Sequence, residues 1–203
     1  VILFQKRVNM STFLKPLIIR EKLLERRMRL FSRGEFGRLF SDQQDKIKYF
    51  LEEQVREGLF NRLKNGLYML KTDPAEEMEI ANRLYQPSYL SFEYALAYYN
   101  LLPEMPYGVT SATTKPTRNF IINFTSFNYL TIKKEAYTGY YLKDGRLIAE
   151  PEKAAADYLY FVALGKKELN ERLNWQKLNQ KKLLKYCRLF KRRKLEDLCL
   201  RKV

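Results

Sequence analysis

No histidine occurs anywhere in these 203 residues. That absence removes a His general base, a Ser-His pair and a His-ligated metal. Cysteine is nearly absent as well: Cys187 and Cys199 stand alone, twelve residues apart. That is neither a zinc spacing nor a disulfide framework, so two reduced cysteines on helix faces are expected. The eight glycines are scattered, with no Walker or GxGxxG loop to cradle a phosphate. No apolar run approaches the roughly 20 residues of a membrane span. The first stretch, VILFQKRVNM, has four apolar residues before its charges, which is no complete signal peptide. These gaps lead to a cytoplasmic protein without a membrane partner, a metal or a cofactor. A catalytic reading would have to rest on carboxylates, and no enzyme activity is expected.

What the chain does have is basic charge, unevenly placed. The net charge is +15. Residues 1–72 carry 16 Lys/Arg against 8 Asp/Glu, residues 73–165 carry 8 against 11, and residues 166–203 carry 14 against 4. Hydrophobic content of 46% with 14% aromatics is that of a globular chain. A basic front, a mildly acidic middle and a basic tail point to contact with a polyanion.

The front has a recognisable order. Residues 13–31, FLKPLIIREKLLERRMRLF, have a helical pattern, with Leu17, Leu24, Met28 and Phe31 as the apolar side. Ser32 with Glu35 is a capping-box spacing ahead of a short helix carrying Phe36, Leu39 and Phe40. Ser41 and Asp42 cap a second helix, on which Ile47, Phe50, Leu51 and Val55 form one stripe until Gly58 stops it. Leu59 to Leu63 and Leu67 to Leu70 then pair as short strands around Lys64-Asn65-Gly66. Helix, short helix, helix and hairpin make a winged helix-turn-helix.

Asp73-Pro74 breaks the chain. Beyond it the pattern gives helices at 75–85 and from Phe92, capped by Ser91. Strands follow at 109–115, 118–124 and 129–133, then a hairpin at 139–149 and a helix opened by Pro151. From Lys166 the chain is a helical tail with leucines on a Lys/Arg-rich surface, expected to pack its apolar positions on the second domain. The fold class is therefore α+β. An N-terminal winged helix-turn-helix (1–72) precedes an α+β domain with a small antiparallel sheet (73–165) and a basic helical extension (166–203).

If the front binds double-stranded DNA, the start of the second helix meets base edges. Gln43 and Gln44 are the readout candidates, since glutamine can pair with N6 and N7 of adenine, with Ser41 beside them. Arg33, Lys46, Lys48, Arg62 and Lys64 would hold phosphates. Tyr89, Tyr94, Tyr98 and Tyr99 read as core rather than as a stacking platform.

Four segments together resemble the AbiEi-type antitoxin family of bacterial type IV (abortive infection) toxin–antitoxin systems. They are LKNGLYMLK at 63–71, IANRLYQPSYLSFEYALAYYNLLP at 80–103, VTSATTKPTR at 109–118 and IAEPEKAAADYLYF at 148–161. The match keeps Gly66 and Tyr68 in the wing, and Pro151, Glu152, Lys153, Ala154 and Asp157 in the last helix. The resemblance implies two jobs. The front would bind an inverted repeat in its own promoter and repress its operon. The second domain would neutralise a cognate nucleotidyltransferase-like toxin, directly or functionally. Glu152, Lys153 and Asp157 are then candidates for the antitoxin surface, although a dipole-facing glutamate and an i, i+4 pair worth about 0.2–0.5 kcal/mol explain them structurally. The longer Arg-rich first helix, Glu52 and Glu53 in the recognition helix and the basic tail depart from the family pattern.

Two other readings stay open. One is an interaction adaptor whose winged helix grips protein and whose tail carries RNA, with no toxin partner. The other, a nuclease, would need Glu150, Glu152 and Asp157 to converge on a metal.

Overall fold

The computed structural model describes residues 15–40 and 44–202. The chain divides between Ala75 and Glu76 into two compact units.

The first unit runs α1 (Pro16–Glu25), β1 (Leu30–Ser32), α2 (Arg33–Phe40), α3 (Gln44–Arg56), β2 (Phe60–Lys64) and β3 (Leu67–Leu70). The strands form an antiparallel sheet in the order β1-β3-β2. This is a winged helix-turn-helix, with β2 and β3 as the wing.

The first helix is shorter than its apolar pattern predicts, and the reason is local. Arg27 takes a left-handed φ of 52°. Its N–H donates to Leu24 O at 2.8 Å, and Met28 N–H donates to Leu23 O at 2.8 Å. Those two bonds are a Schellman closure made without glycine. The chain then leaves as β1, so Phe31 reaches the core from a strand rather than from a helix. Leu17, expected on the apolar side, is exposed, and Ile19 and Leu23 are buried instead. Residues 13 and 14 of the expected helix lie outside the described residues.

The capping box is formed in both directions: Ser32 N–H donates to Glu35 Oε2 at 2.7 Å, and Glu35 N–H donates to Ser32 Oγ at 3.2 Å. At the end of α3, Gly58 has φ 83°, and Leu59 N–H returns to Gln54 O at 3.0 Å. Phe31, Phe36, Phe50 and Phe60 meet in the core, with Phe31 and Phe60 edge-on at 5.1 Å. Arg20 closes the end of the unit, donating to Asp73 Oδ2 at 2.8 Å and Thr72 Oγ1 at 3.0 Å.

The second unit contains α4 (Glu77–Leu84), β4 (Ser88–Leu90), α5 (Phe92–Tyr98), β5 (Val109–Thr113), β6 (Arg118–Ile122) and β7 (Thr125–Thr131). It continues with β8 (Tyr140–Lys143), β9 (Arg146–Ala149), α6 (Pro151–Ala163), α7 (Gln180–Arg188) and α8 (Arg193–Lys202). Its sheet has six strands in the order β6-β7-β5-β4-β9-β8. The β6/β7 and β8/β9 hairpins are antiparallel, but β5 pairs with β7 and β4 with β9 in parallel. The sheet of this unit is thus larger and more mixed than the antiparallel one expected. The strand β4, three residues long, had no pattern to announce it.

Helix α6 is buried almost all round and packs on α5, α7 and α8. Ala154, Ala155 and Ala156 are wholly buried, so their small side chains let the neighbouring helices come close. The tail joins this unit through Leu173, Leu178, Leu183 and Leu195, all buried as their spacing predicts. Among the described residues, no helix is long and apolar enough to cross a membrane.

Candidate nucleic-acid interface

In α3, Ile47, Phe50, Leu51 and Gln54 are buried, and Val55 is only half-buried. With about 100° between successive residues, the opposite face is centred on Asp45, Tyr49, Glu52 and Arg56. All four are exposed. Lys46 and Lys48 are exposed too, but they flank that face on opposite edges. The exposed side of the helix thus has a cationic rim and a mildly acidic middle.

Part of that exposed face looks onto the wing. There Tyr49, Glu52, Val55, Arg56, Arg62 and Tyr68 line a cleft of about 400 Å³. Arg62 is exposed, and its Nη2 donates to Asn65 Oδ1 at 3.0 Å, which holds the guanidinium over the turn. Gly66 takes φ 75°, the conformation this turn needs. At the wing tip, Gly66 O accepts from Arg33 N–H at 3.2 Å, so the half-buried Arg33 and Lys64 stand near the start of α2.

Of the residues expected to meet DNA, Lys46, Lys48 and Arg62 are accessible. Ser41, Asp42 and Gln43 lie outside the described residues, and so does the side chain of Gln44, which opens α3. Tyr49 and Arg56 were missed. Tyr49 is 60% exposed and sits off the apolar stripe, and that was the available signal for it.

The expected antitoxin surface is corrected outright, because those three side chains are not on a surface. Lys153 and Asp157 are 0% exposed, and Glu152 is 8% exposed. Lys153 Nζ bonds Asp157 Oδ1 one helical turn on. Asp157 Oδ2 accepts from Tyr89 OH at 2.9 Å and from Ser91 Oγ at 2.7 Å. The ammonium also lies 4.9 Å from the Phe190 ring centroid and 5.7 Å from that of Tyr89. Burial pushes the Asp157 carboxyl up and the Lys153 ammonium down, and their mutual attraction opposes both shifts. Glu152 Oε1 accepts the Asn179 N–H at 3.1 Å and so holds the approach to α7.

Tyr89, Ser91, Thr110 and Asp157, far apart along the chain, meet around this cluster. Thr110 Oγ donates to Ser91 O at 2.8 Å, joining β5 to the start of α5.

The tyrosines follow the same logic. Tyr89 and Tyr94 are buried, whereas Tyr98 and Tyr99 are only half-buried, and Tyr99 OH donates to Ala149 O at 2.9 Å. Burial pushes the Tyr94 hydroxyl up to about 12. Cys187 and Cys199 are free and buried. Glu150 is held by Tyr186 and Lys182, and no group of three or more Cys, Asp or Glu side chains able to hold a metal gathers among the described residues.

A winged helix-turn-helix joined to a mixed-sheet α+β unit is the class of protein that these elements define. No protein-family model and no curated protein matches the chain. Among solved structures it is similar to the RV2827C protein from Mycobacterium tuberculosis, with a TM-score of 0.47 and 13% identity over 91% of this chain and 80% of that one.

Proposed function

We propose that this chain is the antitoxin of a bacterial type IV toxin–antitoxin system, cytoplasmic, and that it represses its own operon by binding operator DNA. The DNA half is supported by one observation above others: Lys46, Lys48 and Arg62 are exposed on the helix and wing of a winged helix-turn-helix. Arg56 and Arg62 stand at the cleft between α3 and the wing, beside Tyr49 and Glu52, and Lys48 lies on one edge of the helix. Lys46 serves a phosphate on the far edge, and Asp45 and Glu52 keep the middle of α3 off the backbone. The antitoxin half is supported by the resemblance of the four segments, and its partner is a nucleotidyltransferase-like toxin.

The test is fluorescence anisotropy on the chain's own promoter fragment. Contact with about five or six phosphates gives a slope of log affinity against log salt near −5. Absence of binding at low salt rejects the DNA half. For the other half, a chain cut after residue 75 is expected to lose protection against the neighbouring toxin. Full protection by that fragment rejects the division of labour.

The acidic middle of α3 favours a second reading, an adaptor whose winged helix grips a basic protein surface. It predicts that Glu52→Gln abolishes partner capture while leaving promoter binding untouched.

A further inference from the structure

Helices α7 and α8 turn two different faces to their surroundings. Leu183, Tyr186, Cys187, Leu195 and Cys199 are buried on the inner face. The cation on that side is neutralised: Lys182 Nζ lies 3.0 Å from Glu150 Oε2 and 3.6 Å from Glu152 Oε2. On the outer face the balance is different. Lys181, Lys185 and Arg188 are all exposed and stand at i, i+4 and i+7, within about 60° of arc. Lys191, Arg193 and Lys194, just before and at the start of α8, are exposed as well. Arg188 has a distant partner in Glu196, at 4.0 Å. Among the described residues, Lys181, Lys185, Arg193 and Lys194 make no ion pair, and Asp197 is the exposed acid of α8. Like charges at i, i+4 repel, so packing within the fold gives no reason for the stripe.

We infer that the outer face of α7 and α8 is a second DNA-binding surface, on which Lys181, Lys185, Arg188, Arg193 and Lys194 hold backbone phosphates of a duplex. Three observations choose this occupant. Lys181 to Arg188 runs roughly 10 Å along the helix, matching the axial rise of about three phosphates on one strand. The aromatic residues of this region, Tyr186 and Phe190, are buried, leaving no platform on which single-stranded bases could stack. The apolar faces of both helices are also turned inward, and Leu200 is the one large apolar side chain left exposed there among the described residues. A membrane-lying helix needs the reverse arrangement. The choice of duplex DNA over another polyanion rests on the reading of the first unit as DNA-binding; the charge pattern does not.

The test uses the full chain and two duplexes of about 30 base pairs, one carrying the promoter repeat and one unrelated. Lys181→Gln/Lys185→Gln/Lys194→Gln is expected to weaken both duplexes alike, by tenfold or more at low salt. It should also flatten the salt slope by roughly 3, about 0.9 per phosphate released. An unchanged Trp175 fluorescence midpoint in urea verifies that the variant is folded. Unchanged affinity and slope overturn the inference, as does a loss confined to anionic vesicles or to single-stranded RNA. Lys46→Gln/Lys48→Gln/Arg62→Gln is measured beside it. If that variant binds the promoter as the parent does while the tail variant fails, the repressor reading falls and the tail surface stands.

Discussion

Both units close on apolar side chains and rings, but the second also encloses a charged pair. In the winged helix, Phe31, Phe36, Phe50 and Phe60 meet with almost nothing polar among them, and Gln54 is its one buried polar residue among those described. In the other unit, Lys153 and Asp157 are sealed in with Ser91, Thr110, Ser111 and Thr113. Ring packing is non-directional and tolerates substitutions that conserve volume. A buried ion pair demands one geometry and punishes the loss of either partner. The first unit therefore keeps its charges out of its core. The second uses the same residue types to fix which strand and helix meet.

The sharpest way to break this contrast is to remove one member of the pair. Lys153→Ala leaves Asp157 buried with two hydroxyl donors and no cation, and is expected to cost about 3–5 kcal/mol. Phe36→Leu in the first unit should cost less, about 1.5 kcal/mol or below, because most of its volume survives. Trp175 is the single tryptophan and belongs to the second unit, so its fluorescence in urea reads the first substitution directly. A Lys153→Ala midpoint equal to that of the parent would mean the pair holds nothing together. Lys153→Met/Asp157→Leu should recover part of the loss but not all, since Tyr89 and Ser91 would lose their acceptor.

The next largest effect is at the entry to α2. Ser32→Ala removes one half of a reciprocal cap and should cost about 1 kcal/mol. Glu35→Ala should cost a similar amount, and the double variant less than their sum, because both act on one motif. Additive losses in urea melts followed by circular dichroism would show that the two bonds are independent.

That cap was legible along the chain because a capping box is local: four residues contain the whole argument. The same holds for Gly58 and Gly66, whose left-handed φ values belong to turns that their own neighbours define. What escaped was non-local or too short. The Schellman closure at Arg27 lacks the glycine that would announce it, so the apolar pattern runs six residues past the end of the helix. The strand β4 is a strand because β5 and β9 lie on either side of it, and nothing in Ser88-Tyr89-Leu90 says so. Glu152, Lys153 and Asp157 are expected on a surface only through the family resemblance, and nothing in their own segment shows that they are buried. Their partners, Tyr89 and Ser91, lie more than sixty residues away. On α3 the exposed rim was readable from periodicity, whereas the cleft with Arg62 needed the wing folded beside it.

Between the extremes lies the seam of α6 and α7, where charge is only half-buried. Burial tends to raise the Glu150 carboxyl, but the Tyr186 hydroxyl and the Lys182 ammonium overcome it and hold the group below its ordinary 4.5. Bonding to Glu150 in turn holds Lys182 above its ordinary 10.5. The depressed carboxylate stabilises the fold above pH 4.5, and that contribution is lost as pH falls through the lowered value. The raised ammonium stabilises it below pH 10.5, and that contribution is lost as pH rises through the higher value. Lys182 is 41% exposed, so solvent screening keeps the pair under about 1 kcal/mol. Glu150→Gln should flatten the acid limb of the Trp175 midpoint against pH. An acid limb that stays as steep would assign it to other carboxylates.

The smallest expected effect returns to the first unit and changes sign. Arg27 is exposed and closes α1 in a left-handed conformation that costs a non-glycine residue about 1–2 kcal/mol. Arg27→Gly removes that strain, but glycine gives back about 0.5–1 kcal/mol through the extra freedom of the unfolded chain. The net gain should be about 0.5 kcal/mol, read as a higher urea midpoint of the first unit by circular dichroism. Because the substitution also removes a positive charge, Arg27→Lys serves as the control for side-chain packing and Arg27→Ala for charge. Stabilisation by glycine but not by alanine assigns the effect to the backbone. An equal gain from both would place it in relief of repulsion among Arg26, Arg27 and Arg29, and the closure of α1 would then be unstrained.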